Sequence, residues 1–226
     1  SVGLLFSEVT ELLGWDPDED VHRTIWLSTT GEPEFAEVFR HIFAPMRRGL
    51  LRLNVDCFST GVSGRVRFSE KFLESIGLEG SARQAAQMPE SWRANLAASL
   101  QAEAEAAVVE LAEFWRRRRR VATLCFGGGV AFNALLADAL ATRAGFRDGF
   151  IPPAAGNAGC AGGAAMAATQ AGGAAGSRTM PSASLGPAFS GQEIKDILDN
   201  CRLRYGYLAM PQIIPAVAQL LAEGAF

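Results

Sequence analysis

The run Val121-Ala-Thr-Leu-Cys-Phe-Gly-Gly-Gly-Val-Ala-Phe-Asn-Ala-Leu-Leu-Ala-Asp-Ala-Leu140 decides the fold class. Its first six residues are a short continuous apolar run of the kind that forms a buried parallel strand. Gly127, Gly128 and Gly129 follow, and from Val130 the pattern changes to a helical period. A second unit repeats the order: Phe150-Ile151 as a strand end, Pro152-Pro-Ala-Ala-Gly-Asn-Ala-Gly159 as a loop, then a helix of small residues to about Gln170. Strand, glycine loop and helix twice in succession predict an α/β layer with parallel strands.

Upstream, Pro89 to about Arg118 carries apolar residues at Trp92, Leu96, Leu100, Ala104, Ala107, Val108, Leu111 and Trp115. That stripe predicts one long helix, with Pro89 at its first position. The helix ends in Arg116 to Arg120. Five arginines there suit the negative end of the helix dipole as a solvated end turn; a phosphate or nucleic-acid patch is the alternative. Nearer the start, Val2 to Trp15 predicts a helix stopped by Gly14, and Asp16-Pro-Asp-Glu-Asp20 a solvated acidic turn without an EF-hand spacing. Phe35 to Phe43 predicts a short helix. Gly49 to Phe58 predicts a strand, Gly61 to Gly64 a turn and Arg65 to Phe68 a second strand of one hairpin. After a Gly, Ala, Ser and Thr-rich connection, Gln192 to Leu203 and Pro211 to Glu223 predict two helices, with Ser190 as an N-cap.

Composition bounds the functions. The 226 residues are 49% hydrophobic and 20% charged, with 21 basic and 24 acidic side chains and a net charge of -3. That charge provides no long-range attraction to nucleic acid or to an anionic membrane, so neither is expected as a partner. No stretch reaches the roughly 18 to 20 apolar residues of a spanning helix, and the first residues lack a signal-peptide pattern, which makes a cytoplasmic protein the expectation. His22 and His41 are too far apart for an i,i+4 metal pair. Cys57, Cys125, Cys160 and Cys201 form no C-x-x-C pair and read as small buried thiols of a reducing compartment.

A glycine triplet between a strand and a helix lets backbone approach a ligand closely and leaves N–H groups at the positive end of the helix, where phosphate is the natural occupant; packing is the alternative cause. Asn133 stands where G-x-G-x-x-G would have its last glycine, and no Lys-Ser/Thr follows, so the dinucleotide and P-loop patterns both fail. Asn157, at the centre of the second loop, has an amide that suits either a ligand or an Asx-type turn.

These loops also carry a resemblance. Leu124 to Asn133 resembles the "GGVALN" segment of the NodU/CmcH-type O-carbamoyltransferases, and Pro152 to Ala165 resembles their "QPAAGDAGxAxGAA". In the same order, Ser1 to Trp15 is similar to "SLGLLYSAVTxxLGF", Asn95-Leu-Ala-Ala-Ser-Leu-Gln101 to "DLAASLQ", and Leu185 to Ser190 to "LGPxYS". The resemblance implies an α/β fold, part of an actin-like ATPase (RNase H-like) lobe of the Kae1 type with a mixed sheet and flanking helices. Residues 1–170 would form that partial lobe, 171–184 a linker, and 185–226 a helical segment leading toward a further C-terminal domain. Family members use ATP and carbamoyl phosphate to place a carbamoyl group on a hydroxyl of a natural product. By position, Gly127, Gly128, Gly129 and Asn133 would contact the nucleotide, with Gly156 and Asn157 facing the same cleft.

The departures from the family pattern are specific. The paired histidines that hold a catalytic metal in the family have no counterpart in this chain, and Asn157 replaces an expected aspartate ligand. A neutral amide does not supply the anionic oxygen a hard cation prefers, so no complete divalent-metal site is expected here. Where the family shows "KxMGLAxYG", this chain reads Arg23-Thr-Ile-Trp-Leu-Ser-Thr-Thr-Gly31, and Trp26 fills a glycine position. No catalytic residue is assigned; His22 and His41 qualify as general bases by chemistry alone. Two functions follow as expectations: the nucleotide-binding part of a carbamoyltransferase acting on a small-molecule hydroxyl, or a non-catalytic nucleotide-binding or scaffolding homologue. The second would be completed by a complementary chain, further domains or a second copy.

Overall fold

A helix of 30 residues, Glu90–Arg119, organises the chain. The computed structural model describes residues 1–60, 66–78, 82–173 and 186–224, and the chain divides into two compact units, Ser1–Thr179 and Met180–Phe226.

In the first unit, α1 (Val2–Leu12) buries Leu5, Phe6, Val9 and Leu12, one face at helical spacing. α2 (Val21–Leu27) runs into a 3-10 turn at Ser28–Thr30. The two helices are tied by a buried hydroxyl pair: Thr24 donates to Thr10 Oγ1 at 2.7 Å, while Thr10 donates to the Phe6 carbonyl. α3 (Ala36–Ile42) leads directly into β1 (Phe43–Arg47), which pairs antiparallel with β2 (Leu50–Leu53). β3 (Phe58–Thr60) and β4 (Val66–Phe68) form a second antiparallel pair. α4 (Glu70–Ser75) starts at the Ser69 cap, whose Oγ accepts from Phe72 N. In the core between these pieces Phe68 stacks on Phe72, and Phe39 meets Phe72 edge to face.

The long helix is α5 (Glu90–Arg119), with Pro89 as its N-cap rather than its first helical residue. It buries Leu96, Ala97, Leu100, Ala104 and Val109 and ends at Arg120 in the left-handed conformation. The arginine run at its end is used locally. Arg116 Nε donates to the Ala144 carbonyl at 2.9 Å, Arg117 pairs with Glu113, and Arg119 lies over the Trp115 ring.

Next come β5 (Thr123–Cys125), a 3-10 turn at Gly129–Phe132, α6 (Ala134–Arg143), β6 (Asp148–Phe150) and α7 (Gly159–Ala171). β5 and β6 are parallel, with Thr123 opposite Asp148 and Cys125 opposite Phe150. The strand, loop, helix repeat predicted from 121–170 is therefore present.

Three expectations are corrected. Among the described residues the strands form three separate two-stranded sheets, not one mixed sheet. The strand expected over 49–58 is broken because Asn54 Oδ1 accepts from Asp56 N and turns the chain through Val55–Cys57, so its halves pair with different partners. Of the four cysteines only Cys57 is buried; Cys125, Cys160 and Cys201 are exposed. The turn expected at 61–64 and nearly all of the connection at 171–184 lie outside the described residues.

The second unit holds α8 (Gly191–Asn200) and α9 (Met210–Ala222). Ser190 caps α8 through a reciprocal capping box with Glu193. Ser190 N and Ser190 Oγ both donate to the Glu193 carboxylate and hold it below its ordinary range. No described helix is long and apolar enough to cross a membrane.

Candidate functional site

Parallel pairing brings the carboxyl ends of β5 and β6 side by side, and the two glycine loops leave from those ends. In open α/β sheets ligands sit outside the carboxyl ends of the strands. The ladder extends one step through Phe126 N, which donates to the Phe150 carbonyl at 3.0 Å. Gly128 N then donates to the Ala155 carbonyl at 2.7 Å and joins the first loop to the second.

The glycines of the two loops have different physical causes. Gly128 has φ +94 and ψ 167, a region open essentially only to glycine. A Cβ on Gly129 would meet nothing within 4 Å, and one on Gly127 would meet only the Ala155 carbonyl at 4.0 Å. Both have φ outside the left-handed range, so neither local strain nor packing within the described residues requires glycine at 127 or 129. At Gly156 a Cβ would press on the Phe132 ring at 2.9 Å, and at Gly159 it would strike the Ala154 carbonyl. The second loop uses its glycines for its own packing.

Three backbone donors of the first loop, the N–H groups of Gly127, Gly129 and Val130, have no acceptor among the described residues. Free backbone amides ahead of a helix suit an anion; those of Gly129 and Val130 are adjacent, while Gly128 N is engaged by the Ala155 carbonyl. No acidic side chain belongs to 126–133.

Asn133 points elsewhere. It is 2% exposed, caps α6 by accepting from Leu136 N at 3.1 Å, and donates through Nδ2 to Gln101 Oε1 at 2.8 Å. Asn157 is exposed in the turn before α7, where its carbonyl accepts from Cys160 N. The structure thus joins Gly127 and Gly128 to the loop of Gly156 and Asn157, and places the Asn133 side chain behind the loop.

The two histidines belong to other surfaces. His22 Nδ1 lies 3.1 Å from the Glu19 carbonyl. His41 Nε2 lies 3.2 Å from Asn54 Nδ2 in a cavity of about 400 Å³ that also exposes Asp56, Cys57 and Lys71. Burial, with Asp56 second, pushes the Cys57 thiol up, and Lys71 opposes them. Among the described residues no group of three or more His, Cys, Asp or Glu side chains could hold a metal ion.

The function of Asn95 to Gln101, quoted above only as a matching string, becomes physical here. Leu96, Ala97 and Leu100 are core, while the polar members serve neighbouring segments. Asn95 Oδ1 accepts from Glu32 N at 2.9 Å and Ser99 Oγ from Phe35 N at 2.8 Å. Gln101 meets Asn133. The signal was polar side chains inside an otherwise buried stretch; their partners, 32 to 64 residues away, were not legible. Trp26 stands exposed on α2, and Gly31 lies hard against the α5 backbone: a Cβ there would fall 2.2 Å from the Ala94 carbonyl and 2.6 Å from Asn95 N.

Residues 1–166 match the family described as "Carbamoyltransferase N-terminus". An uncharacterized protein of Synechocystis sp. is 28% identical over 233 residues, covering 99% of this chain and 37% of that protein. The nodulation protein NolO of Bradyrhizobium diazoefficiens is 27% identical over 230 residues, covering 100% of this chain and 39% of its own length. The nodulation protein NolNO of Sinorhizobium fredii is 28% identical over 167 residues, 74% of this chain and 22% of that protein. The chain spans about two fifths or less of the length of these relatives.

Proposed function

Because the chain belongs to the carbamoyltransferase family, by a match over residues 1–166, we propose that it is the nucleotide-binding part of an enzyme that uses ATP to transfer a carbamoyl group to a hydroxyl of a small-molecule acceptor. The observation that carries this proposal is the open space at Gly127 and Gly129 beside three free backbone N–H groups. In this role the N–H groups of Gly127, Gly129 and Val130 donate to phosphate oxygens. Gly128 supplies the backbone conformation that aims them, and the loop of Gly156 and Asn157 forms the facing wall. Asn133 contributes from behind as the cap of α6.

ATP supplies the free energy that makes the carbamoyl carbon electrophilic, with carbamoyl phosphate as the source of that group. The residues of this chain bind and orient, and fixed amide dipoles in place of mobile water lower the cost of charge developing on phosphate. Neither histidine lies on the elements that carry the glycine loops, so no general base is assigned to the chain. The residues present do not fit a divalent metal: Asn157 offers a neutral oxygen, and no carboxylate or imidazole set accompanies it among the described residues. No step is routed through one. Assembly into an actin-like lobe of the Kae1 type, residence in the cytoplasm and the absence of nucleic acid and membrane partners belong to the same proposal.

Calorimetric titration with ATP and ADP tests it. The native chain is expected to bind either nucleotide at concentrations up to about 1 mM, and Gly129→Val, which puts a branched side chain in the open space, is expected to abolish the heat. No heat from the native chain, or equal heat from both proteins, rejects the proposal.

Asn157 favours a second reading, a non-catalytic nucleotide-binding or scaffolding homologue completed by another chain. Under it, Asn157→Asp gains no affinity for manganese in the presence of a histidine-bearing partner, whereas a metal site missing only that ligand gains measurably.

A further inference from the structure

We infer that Gln101 is the positioning residue of the first glycine loop, holding Gly127 to Gly129 in register with the second loop through a buried amide pair with Asn133. Where the inference concerns ligand affinity it rests on the function proposed above; where it concerns loop geometry it does not.

Gln101 is 5% exposed, and on its own helix Leu100 and Ala104 have no exposure at all. A polar group in such a place is costly unless its hydrogen bonds are made, and here they specify one arrangement. Asn133 Oδ1 must be the acceptor for Leu136 N, so Nδ2 faces Gln101 and donates to Oε1 at 2.8 Å. Gln101 Nε2 then donates to Glu105 Oε1 at 2.8 Å and to Asn133 Oδ1 at 3.3 Å. A reciprocal amide pair needs a donor and an acceptor on one side chain of this length. Glutamate lacks the donor, leucine lacks both, and asparagine is a methylene short.

From the pair, three backbone bonds run to the loop. Asn133 N donates to the Val130 carbonyl at 3.0 Å, Ala131 N to the Gly128 carbonyl at 2.9 Å, and Gly128 N to the Ala155 carbonyl at 2.7 Å. Gln101 sits at the root of a continuous chain that ends on the contact between the two loops. The far end of α6 has its own clamp on α5, Arg116 Nε donating to the Ala144 carbonyl at 2.9 Å. That clamp holds the same two helices together without touching the loop, which makes it the natural control.

The experiment is amide hydrogen exchange on the full 226-residue chain, without nucleotide, for the native protein, Gln101→Leu, Asn133→Ser, their double variant and Arg116→Ala. Asn133→Ser keeps a cap for Leu136 N but cannot reach Gln101, so α6 still starts and the variant reports even if Gln101→Leu fails to fold. Exchange at Gly128 is expected to rise about tenfold in either single variant, on the order of one net hydrogen bond. The double variant is expected to add nothing to either single change, and Arg116→Ala to leave Gly128 unchanged. Unchanged protection at Gly128 in folded Gln101→Leu or Asn133→Ser overturns the inference. An equal rise in Arg116→Ala overturns it too, because general loosening of α6 would then suffice.

Titration of the same proteins with ADP adds the functional arm. Affinity is expected to fall about tenfold in Gln101→Leu and not in Arg116→Ala. If the native chain binds no ADP while the exchange pattern holds, the nucleotide function is rejected and the positioning role stands. If ADP binds natively and equally well to Gln101→Leu, the positioning role is rejected and the nucleotide function stands.

Discussion

Gly31 and Gly129 both sit where a glycine matches or replaces a motif position, and the space around them could hardly differ more. At Gly31 the turn after α2 lies against α5 so closely that a Cβ would overlap the Ala94 carbonyl, with Asn95 fixing the approach through Glu32 N. At Gly129 a Cβ would meet nothing within 4 Å, and the neighbouring amides have no acceptor. The first glycine is there because another part of the chain is close, and no partner in this unit accounts for the second. Glycine alone therefore does not mark a ligand site; the proposal for the first loop rests on open space together with unspent N–H groups.

That contrast orders three expectations by size. Gly31→Ala is the largest: backbone cannot yield as a flexible side chain does, and the cost is expected at the upper end of overpacking, about 3 kcal/mol. Chemical denaturation measures it, and a loss below about 1 kcal/mol would show that the turn can move away from α5. Gly128→Ala comes next, with about 1 to 3 kcal/mol from a backbone region that side chains avoid. Gly129→Ala is the smallest in stability, within about 0.5 kcal/mol, yet it is the one of the three expected to weaken nucleotide binding while leaving the melting curve in place. A destabilisation at Gly129 equal to that at Gly31 would erase the distinction between the two positions.

The cysteines sharpen the same division between closed and open regions. Cys57 lies in the packed body, while Cys125 and Cys160 flank the two loops. Mild alkylation is expected to modify Cys125, Cys160 and Cys201 first and Cys57 last. The Cys57 thiol is pushed up by burial, so the folded state holds its proton more tightly than the unfolded state does. Its contribution to stability is complete below the ordinary thiol range and is lost as pH rises through the raised value. A denaturation series between about pH 7 and 10 should show that decline, and Cys57→Ala should remove it. A Cys57→Ala variant that keeps the same decline would assign it to other groups.

The sequence revealed the parts of this molecule that depend on local order. The strand, glycine loop and helix repeat is written in consecutive residues, and the stripe from Trp92 to Trp115 announces α5 because a long helix repeats its own signal. The break at Asn54 was hidden, since one side-chain bond to Asp56 N outweighed an alternating pattern that otherwise suits a strand. Cysteine burial was hidden for a related reason: apolar neighbours in sequence say little about which elements cover a residue. The candidate loops were legible, including Gly127 to Gly129, Gly156 and Asn157. The direction of Asn133 was not, because its partner Gln101 lies 32 residues earlier on another helix.

The most direct test of the central claim, that the first glycine loop receives nucleotide phosphate, is to follow the backbone amide resonances of the nitrogen-15-labelled chain during titration with ADP. The N–H signals of Gly127, Gly129 and Val130 are expected to shift together and saturate at one common affinity, while that of Gly31 stays in place. Binding of ADP that leaves those three signals unmoved, or shifts confined to other elements, would contradict it.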